Sequence, residues 1–292
     1  MFGILNINKP EGLTSFDVVA RLRKILNIKQ IGHAGTLDPM AKGVLPVCVG
    51  SAARLIEYFE SGKTYRASMI LGVTTDTYDL EGKEILRQEV HFDRSKLLSV
   101  CEKYIGEITQ TPPMHSAVHY KGKRLYEYAR QNIKIDDIPE RKVMINSLEI
   151  KSVDENSPNP VVVFDVDCSG GTYIRTLIND IGNDLGCGAV MSELTRLRSG
   201  AFYIEESLSL EEVEERCENG SLELINPVDK INFDEYTLSE EEKRKVSHGQ
   251  YLKSGLFDDG IYLKLVYNNS LTAIAKVYGE KIVPQKVFSD EN

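Results

Sequence analysis

The sequence has few cysteines, and no two of them form a Cys-x-x-Cys pair. The five cysteines are odd in number and widely spaced: Cys48, Cys101, Cys168, Cys187 and Cys217. This spacing argues against a disulfide framework and against a cysteine zinc site. A reduced, cytoplasmic protein is therefore expected.

Long apolar runs are also missing. The longest are a handful of residues, such as Val161–Phe164, whereas a membrane-spanning helix needs about 20. Met1–Pro10 carries no basic segment followed by an apolar one, so no signal peptide is expected. The 292 residues, of which 41% are hydrophobic and 27% charged, instead predict a globular protein of about two domains.

Signatures of metal and nucleotide sites are weak. His115 and His119 have the spacing of a metal pair, but they lack the glutamate of H-E-x-x-H and follow two prolines. The glycines of 169–172 precede a predicted helix, yet they match neither the Walker A pattern nor the G-x-G-x-x-G pattern of nucleotide-binding loops. The sequence predicts no metal and no cofactor.

The negative charge is unevenly distributed. The whole chain carries −9, but residues 1–66 hold nine Lys/Arg against five Asp/Glu, and residues 205–260 hold six against sixteen. The N-terminal third can therefore present a basic face to phosphates. An ordinary solvated surface is the alternative.

Apolar periodicity predicts mixed helices and strands without strict alternation, which favours an α+β fold over a doubly wound sheet. A helix capped by Thr14 or Ser15 is expected to bury Phe16 among its apolar residues. Other expected elements are a loop over 31–43, a helix over 52–59, single strands over 64–73 and 194–202, a helix over 173–185 closed by Gly186, and two antiparallel strands over 143–153 and 161–167. The expected domains are 1–228 and a small β-rich domain over 229–292.

The loop Gly32–Pro46 holds an acidic residue among glycines, directly before an apolar strand. Pro39 fixes its own φ and pushes Asp38 towards an extended conformation, so the loop can hold one carboxylate rigidly. From the residues alone, an Asx-turn or a cap made by Asp38 is the more ordinary explanation.

This segment reads G-H-x-G-x-L-D-P-x-A-x-G-x-L-P and resembles the signature of the tRNA pseudouridine synthase B family throughout. Further segments agree at family-like spacing: Asn8–Pro10, Lys63–Arg66, Thr75–Gly82, Thr111–Gly122 and Gly171–Arg175. Together they cover roughly residues 3–205. The C-terminal part resembles a PUA-like module more loosely. The resemblance implies a largely antiparallel mixed-sheet catalytic domain of the pseudouridine synthase type.

The resemblance also implies an activity. The family isomerises the uridine numbered 55 in the T-arm loop of tRNA to pseudouridine, without cofactor or metal. The reaction needs a carboxylate nucleophile, which Asp38 can supply. Attack at the ribose anomeric carbon, attack at C6 of the base and a route through a glycal all stay open. A monomer that binds tRNA, without a membrane or an obligatory protein partner, is expected.

The remaining site residues are carried over from the family's motifs. Arg175 is expected to pair with Asp38, and Tyr65 to stack on a flipped uracil. Tyr173 and Leu194 match further pocket positions, and His33 matches the histidine near the flipped base. Asp79 matches a supporting acidic position, and Lys9 is expected near an RNA phosphate or in the pocket wall. The structural alternatives are a surface ion pair for Arg175, a strand tyrosine for Tyr65, and packing for Tyr173 and Leu194.

Two other functions stay open. One is a non-catalytic tRNA-binding or folding module on the same fold, against which the intact set of Asp38, Tyr65 and Arg175 argues. The other is a guide-RNA-dependent enzyme acting on ribosomal RNA, against which the short termini argue.

Overall fold

Two helix ends show the local chemistry that determines them. Thr14 accepts a hydrogen bond from Asp17 N–H, and the Asp17 carboxylate accepts one from Thr14 N–H, which forms a capping box. Gly186 ends another helix in the left-handed conformation with φ 80°, which glycine adopts without strain. The computed structural model describes residues 1–131, 133, 135, 137–253, 255 and 257–288.

These residues form six α-helices and eighteen strands. The helices are α1 (Ser15–Leu26), α2 (Arg94–Glu102), α3 (Leu125–Arg130), α4 (Ile174–Leu185), α5 (Leu210–Glu218) and α6 (Glu240–Ser247). The strands are β1 (Gly3–Lys9), β2 (Ile31–His33), β3 (Lys42–Val49), β4 (Lys63–Leu71), β5 (Val73–Thr75), β6 (Glu84–Arg87), β7 (Gly106–Gln110), β8 (His119–Tyr120), β9 (Lys123–Arg124), β10 (Arg141–Asp154), β11 (Val161–Cys168), β12 (Ala189–Ser199), β13 (Phe202–Tyr203), β14 (Asp234–Thr237), β15 (Leu252–Lys253), β16 (Tyr262–Tyr267), β17 (Ser270–Tyr278) and β18 (Lys281–Val287). No helix in the described part of the chain is long and apolar enough to cross a membrane.

The chain divides into two units. Unit 1 comprises residues 1–39, 43–60 and 199–292, and unit 2 comprises residues 40–42 and 61–198. Unit 2 is thus a nearly continuous insertion in the sequence of unit 1. This division does not coincide with the predicted domain boundary after residue 228. That domain boundary stays a prediction.

Unit 1 is built around apolar strands that both ends of the chain supply. β3 pairs antiparallel with β1 and with β2, and α1 and α5 share an apolar core with β1 and β3. A second cluster joins Ile4 and Val44 to Ile274 and Phe288. The N-terminal and C-terminal segments therefore share one core.

The C-terminal part of unit 1 is rich in strands, as predicted. Its five-stranded sheet has the order β14-β16-β17-β18-β15, in which β14 and β16 are parallel and the other pairs antiparallel. Alternate residues of this sheet pack with Val246 of α6 in a separate core. The predicted small β-rich C-terminal part is confirmed.

Unit 2 carries a largely antiparallel sheet with the strand order β12-β4-β11-β10-β7. The pair β10 and β11 is antiparallel, as predicted, and β4 pairs antiparallel with β11 along its whole length. One face of α4 is buried through residues such as Leu177, Ile178 and Ile181. The mixed α+β fold class is confirmed.

Several expected elements were wrong in detail. Phe16 is 65% exposed, because it lies about 100° around α1 from the centre of the buried face. Residues 31–33 form a strand, and the expected helix over 52–59 is a 3-10 helix, Gly50–Tyr58.

The two expected single strands are each divided at a glycine. Gly72 separates β4 from β5: its φ is +80°, and an added Cβ would lie 2.3 Å from Gln88 O. The expected strand over 194–202 begins at Ala189 instead, and Gly200, with φ +57°, separates β12 from β13. A periodicity argument does not reveal such close approaches of the backbone.

Candidate active site

Asp38 lies in the loop between β2 and β3 of unit 1. Leu37 before it is 3% exposed, whereas Asp38 itself is half-buried. The backbone of the loop is fixed by its neighbours: Gly12 N–H donates to Pro39 O at 2.8 Å, and Ala34 N–H donates to Pro46 O at 2.9 Å. A partly accessible carboxylate on such a held loop is suited to act as a nucleophile.

Lys9 is completely buried at the end of β1. Its ammonium donates to three carbonyls, those of Pro10 at 2.9 Å, Leu13 at 2.5 Å and Pro39 at 3.2 Å. Phosphate contact requires an accessible ammonium, so this conformation does not support that expectation for Lys9. The lysine instead ties the loop of Asp38 to the turn after β1.

Ser15 is a second anchor, which the sequence did not indicate. Its hydroxyl accepts a hydrogen bond from Leu37 N–H at 2.9 Å and lies 3.3 Å from Leu37 O. The sequence holds one signal for such a role: Thr14 and Ser15 are adjacent, and only one of them is needed to cap α1.

His33 is the last residue of β2, opposite Val47 of β3. Its side chain is partly exposed. His33 thus ends a strand, although residues 31–43 were predicted as a loop. A contact of His33 with RNA stays a prediction.

In unit 2, Tyr65 and Leu194 lie on neighbouring strands, β4 and β12. Both are 7% exposed. Ser192 Oγ donates to Ser68 O at 3.2 Å and links the same two strands. The two apolar side chains thus belong to one rigid sheet, which suits a pocket wall as well as a packed core.

Polar residues next to Tyr65 form a tight network. Thr64 Oγ1 donates to Asp167 Oδ2 at 2.6 Å, and Arg198 donates to the same carboxylate oxygen at 2.7 Å. Burial by itself raises the pKa of Asp167, but hydrogen bonds from Thr64, Asn146 and Arg198 outweigh it and hold this pKa below its ordinary value. Asp167 is therefore a structural anion that fixes the start of β4.

Lys63 starts the same strand and lies in a positively charged environment. Burial, followed by repulsion from Arg196, lowers the pKa of Lys63 to about 8. Its ammonium donates to Ser61 O at 3.0 Å. The strand of Tyr65 thus begins with a cation that is readily neutralised.

Tyr173 is the N-cap residue of α4 and is half-buried. Its backbone is held on both sides by Gln110, whose amide oxygen accepts from Tyr173 N–H at 3.0 Å and whose amide nitrogen donates to Tyr173 O at 3.2 Å. The Arg141 guanidinium lies 5.6 Å from the centre of the ring. Sequence reasoning did not indicate Gln110, because a single glutamine at a strand end has no signature.

Arg175, in the first turn of α4, forms a buried ion pair with Asp79. The two side chains are 6% and 4% exposed, and Arg175 Nη1 lies 3.0 Å from Asp79 Oδ2. Arg175 also donates to Thr77 O and to His115 O. The alternative of a surface ion pair was wrong. The pairing of Arg175 with Asp38 stays a prediction, since these residues belong to different units.

Asp79 is itself held rigidly. Its Oδ1 accepts hydrogen bonds from Thr77 Oγ1 at 2.6 Å and from Glu81 N–H at 3.1 Å. The expected supporting role of Asp79 therefore has a geometric basis in the pair with Arg175. Within the described residues, no group of three His, Cys, Asp or Glu side chains could hold a metal ion.

Comparison with known families agrees with these motifs. Residues 23–174 match the N-terminal domain of the TruB family pseudouridylate synthases, and residues 175–231 match the C-terminal domain of tRNA pseudouridylate synthase B. The chain belongs to the TruB family of pseudouridylate synthases. The expected family and the expected class of enzyme are thereby confirmed.

Similar TruB proteins cover nearly the whole chain. The chain is 43% identical over 282 residues to tRNA pseudouridine synthase B of Clostridium kluyveri, covering 94% of this chain and 95% of the relative. The protein of the same name from Lactiplantibacillus plantarum is 40% identical over 286 residues, covering 93% of each chain.

Solved structures show the same TruB fold. A chain from an H/ACA ribonucleoprotein bound to a substrate RNA containing 2′-deoxyuridine has a TM-score of 0.74 and 27% identity, covering all of this chain and 86% of that one. A chain of a Cbf5-Nop10-Gar1 complex has the same TM-score and 28% identity, covering 99% of this chain and 85% of that one.

Proposed function

We propose that this enzyme isomerises the uridine at position 55, in the T-arm loop of tRNA, to pseudouridine, with Asp38 as the nucleophile. The observation that carries the proposal is the held loop around Asp38 in a chain of the TruB family. The relatives named tRNA pseudouridine synthase B, at 40% identity and more, support tRNA as the substrate.

The reaction is balanced within the nucleotide. The bond between N1 of uracil and the ribose C1′ breaks, the base turns, and a bond forms between C5 and C1′. The proton on C5 is lost and N1 gains one, so there is no net oxidation and no net hydrolysis. An ionised carboxylate can hold the reacting fragment covalently between the two steps.

The other residues are assigned to capture and orientation of the uridine. A base in a folded RNA loop has to leave the stack at a cost of a few kcal/mol, and stacking on Tyr65 offsets about 1–3 kcal/mol of this cost. Tyr173 and Leu194 contribute to the wall of the pocket, and His33 occupies space near the flipped base. The support for these assignments is the match of each motif to the family.

Arg175 is assigned to stabilise the ionised carboxylate of Asp38. A cation near a carboxylate favours its charged form. The pair with Asp79 orients the guanidinium, and the carbonyls of Thr77 and His115 fix its plane.

The test uses an unmodified tRNA transcript, with pseudouridine mapped by carbodiimide modification and primer extension. Asp38→Asn is expected to abolish isomerisation while RNA affinity persists, because most affinity comes from phosphate contacts. Asp258→Asn makes the same chemical change at an exposed carboxylate and should remain fully active. Turnover by Asp38→Asn, beyond what deamidation supplies, would exclude the nucleophile assignment.

The same assay separates the alternatives. Activity on the transcript without any added RNA or protein would exclude a guide-dependent enzyme, and activity of any kind would exclude a purely non-catalytic module. Pseudouridine at another position would refute position 55 but not the reaction.

A further inference from the structure

Ser15 occupies an unusual place at the start of α1. Thr14 provides the cap of this helix, and Ser15 is 1% exposed and makes no capping bond. Its hydroxyl instead bridges to Leu37, 22 positions further along the chain, with 2.9 Å to Leu37 N and 3.3 Å to Leu37 O. A serine hydroxyl has one hydrogen to donate and two lone pairs to accept with, so both bonds can form together.

The bridged residue directly precedes Asp38. On the other side of Asp38, Pro39 O accepts hydrogen bonds from Gly12 N–H at 2.8 Å and from the Lys9 ammonium at 3.2 Å. The backbone is therefore tied immediately before and immediately after the carboxylate-bearing residue. Ser15 is the anchor that the structure gives for the preceding side.

We propose that Ser15 is a positioning residue for Asp38, which fixes the direction of the carboxylate by holding both backbone groups of Leu37. This inference rests on the proposed function, in which Asp38 is the nucleophile. Ser15 does not touch the substrate. It acts by reducing the range of orientations from which Asp38 attacks.

The physical reason is the sensitivity of a displacement reaction to geometry. A nucleophile displaced by about 1 Å can lose about 100-fold in rate, even when the substrate still binds. Without the hydroxyl, the N–H and C=O of the buried Leu37 lose the partner that the structure shows for them. A buried polar group without a partner is costly, so the segment is expected to shift until these groups find new ones.

The experiment compares Ser15→Ala with Thr14→Ala and Ser15→Thr. Thr14→Ala removes the cap of the same helix and leaves the bridge to Leu37 in place, so it controls for lost helix stability. Ser15→Thr restores a hydroxyl. For each variant, the single-turnover rate on an unmodified tRNA transcript and the dissociation constant for that transcript are measured well below the unfolding range. The thermal midpoint is measured separately.

The expected result is a split between rate and binding. Ser15→Ala should lower the single-turnover rate by about 10- to 100-fold and leave the dissociation constant unchanged. Thr14→Ala should lower the thermal midpoint without lowering the rate, and Ser15→Thr should recover most of the rate. A wild-type rate for Ser15→Ala, or equal rate losses for Ser15→Ala and Thr14→Ala, would overturn the proposal.

Asp38→Asn is measured alongside these variants, so that the two proposals fail in different ways. If Asp38→Asn is inactive and Ser15→Ala is not impaired, only the role of Ser15 is refuted. If Asp38→Asn turns over, both are refuted, because no nucleophilic carboxylate is then present for Ser15 to position.

Discussion

The buried pair of Asp79 and Arg175 should dominate the local stability of the segment that begins α4. At 3.0 Å, a pair of unit charges attracts by about 5 kcal/mol at an effective dielectric constant of about 20. The cost of removing both charges from water is of similar size, so the pair adds little relative to two apolar residues. Removing one partner is different, because the other charge stays buried.

We therefore expect Asp79→Ala to cost about 3–5 kcal/mol. The substitution also removes the acceptor for Thr77 Oγ1 and for Glu81 N–H. Asp79→Asn should cost less, since its amide oxygen can still accept both of these hydrogen bonds. The double variant Asp79→Ala, Arg175→Met should be more stable than the sum of the single effects predicts, by at least about 2 kcal/mol.

Hydrogen exchange of the α4 amides is the appropriate measurement. The chain has two units, and a global unfolding curve would mix their transitions, whereas exchange reports local opening. The matched control is Arg66→Met, which breaks the exposed pair with Asp165 and should cost no more than about 1 kcal/mol. A coupling between Asp79 and Arg175 that is no larger than the effect of this control would refute the reasoning.

Three further predictions concern unit 2. Tyr65→Phe should retain binding of a tRNA transcript, whereas Tyr65→Leu should weaken this binding by about 1–3 kcal/mol, because stacking uses the face of the ring. Equal binding by the two variants would show that Tyr65 is only a packed strand residue. Lys63→Met should raise the free energy of unfolding at pH 7 by about 1–3 kcal/mol. At this pH the folded state holds the charged Lys63 ammonium, which burial and the nearby Arg196 disfavour, as its pKa of about 8 indicates. The folded protein releases this proton above pH 8, while the unfolded chain keeps it to about pH 10.5. Wild-type stability should therefore rise in that window and the gain of the variant should shrink, as urea titrations at pH 7 and pH 10 will show when the NMR signals of Tyr65 report the unfolding of unit 2. Gln110→Ala should speed hydrogen exchange in the first turn of α4 by an amount that corresponds to about 1–3 kcal/mol, since Tyr173 N–H loses its partner while Tyr173 C=O keeps only the bond from Leu177 N–H; unchanged exchange there would show that Gln110 does not hold the helix start.

Sequence reasoning succeeded where the determining interaction is local. The cap at Thr14, the end of α4 at Gly186 and the antiparallel pair β10 and β11 each follow from residues close together in the chain. It was wrong where a distant segment decides. Gly72 divides a predicted strand because Gln88 and Asn159 approach its backbone. Phe16 is a different case, since the error there was a local one: the buried face of α1 is narrower than the apolar pattern indicated.

The candidate site shows the same division. The resemblance to the family's motifs indicated Asp38, Tyr65, Asp79 and Arg175, and the structure adds the buried ion pair between the last two. Ser15 and Gln110 were not predicted, because each is a single polar side chain that contacts a segment 22 or 63 positions away. Such anchors have no periodicity and no motif, and only the folded chain reveals them.

The shared core of unit 1 has a consequence for how the protein is made. Phe2 lies against Phe288, with ring centroids 5.4 Å apart, and Ile4 N–H donates to Ile225 O. A ribosome adds about 5–20 residues per second, so roughly 15–60 s separate the synthesis of the first strand from that of its last core partner. Unit 2, nearly continuous in sequence, can fold during that interval, whereas the face of β1 that carries Ile4 has to wait for Ile274 and Phe288. The anchors of the Asp38 loop, Lys9, Gly12 and Ser15, are translated just before it. This loop can therefore be fixed early, while the apolar face around Ile4 stays uncovered until synthesis is almost complete.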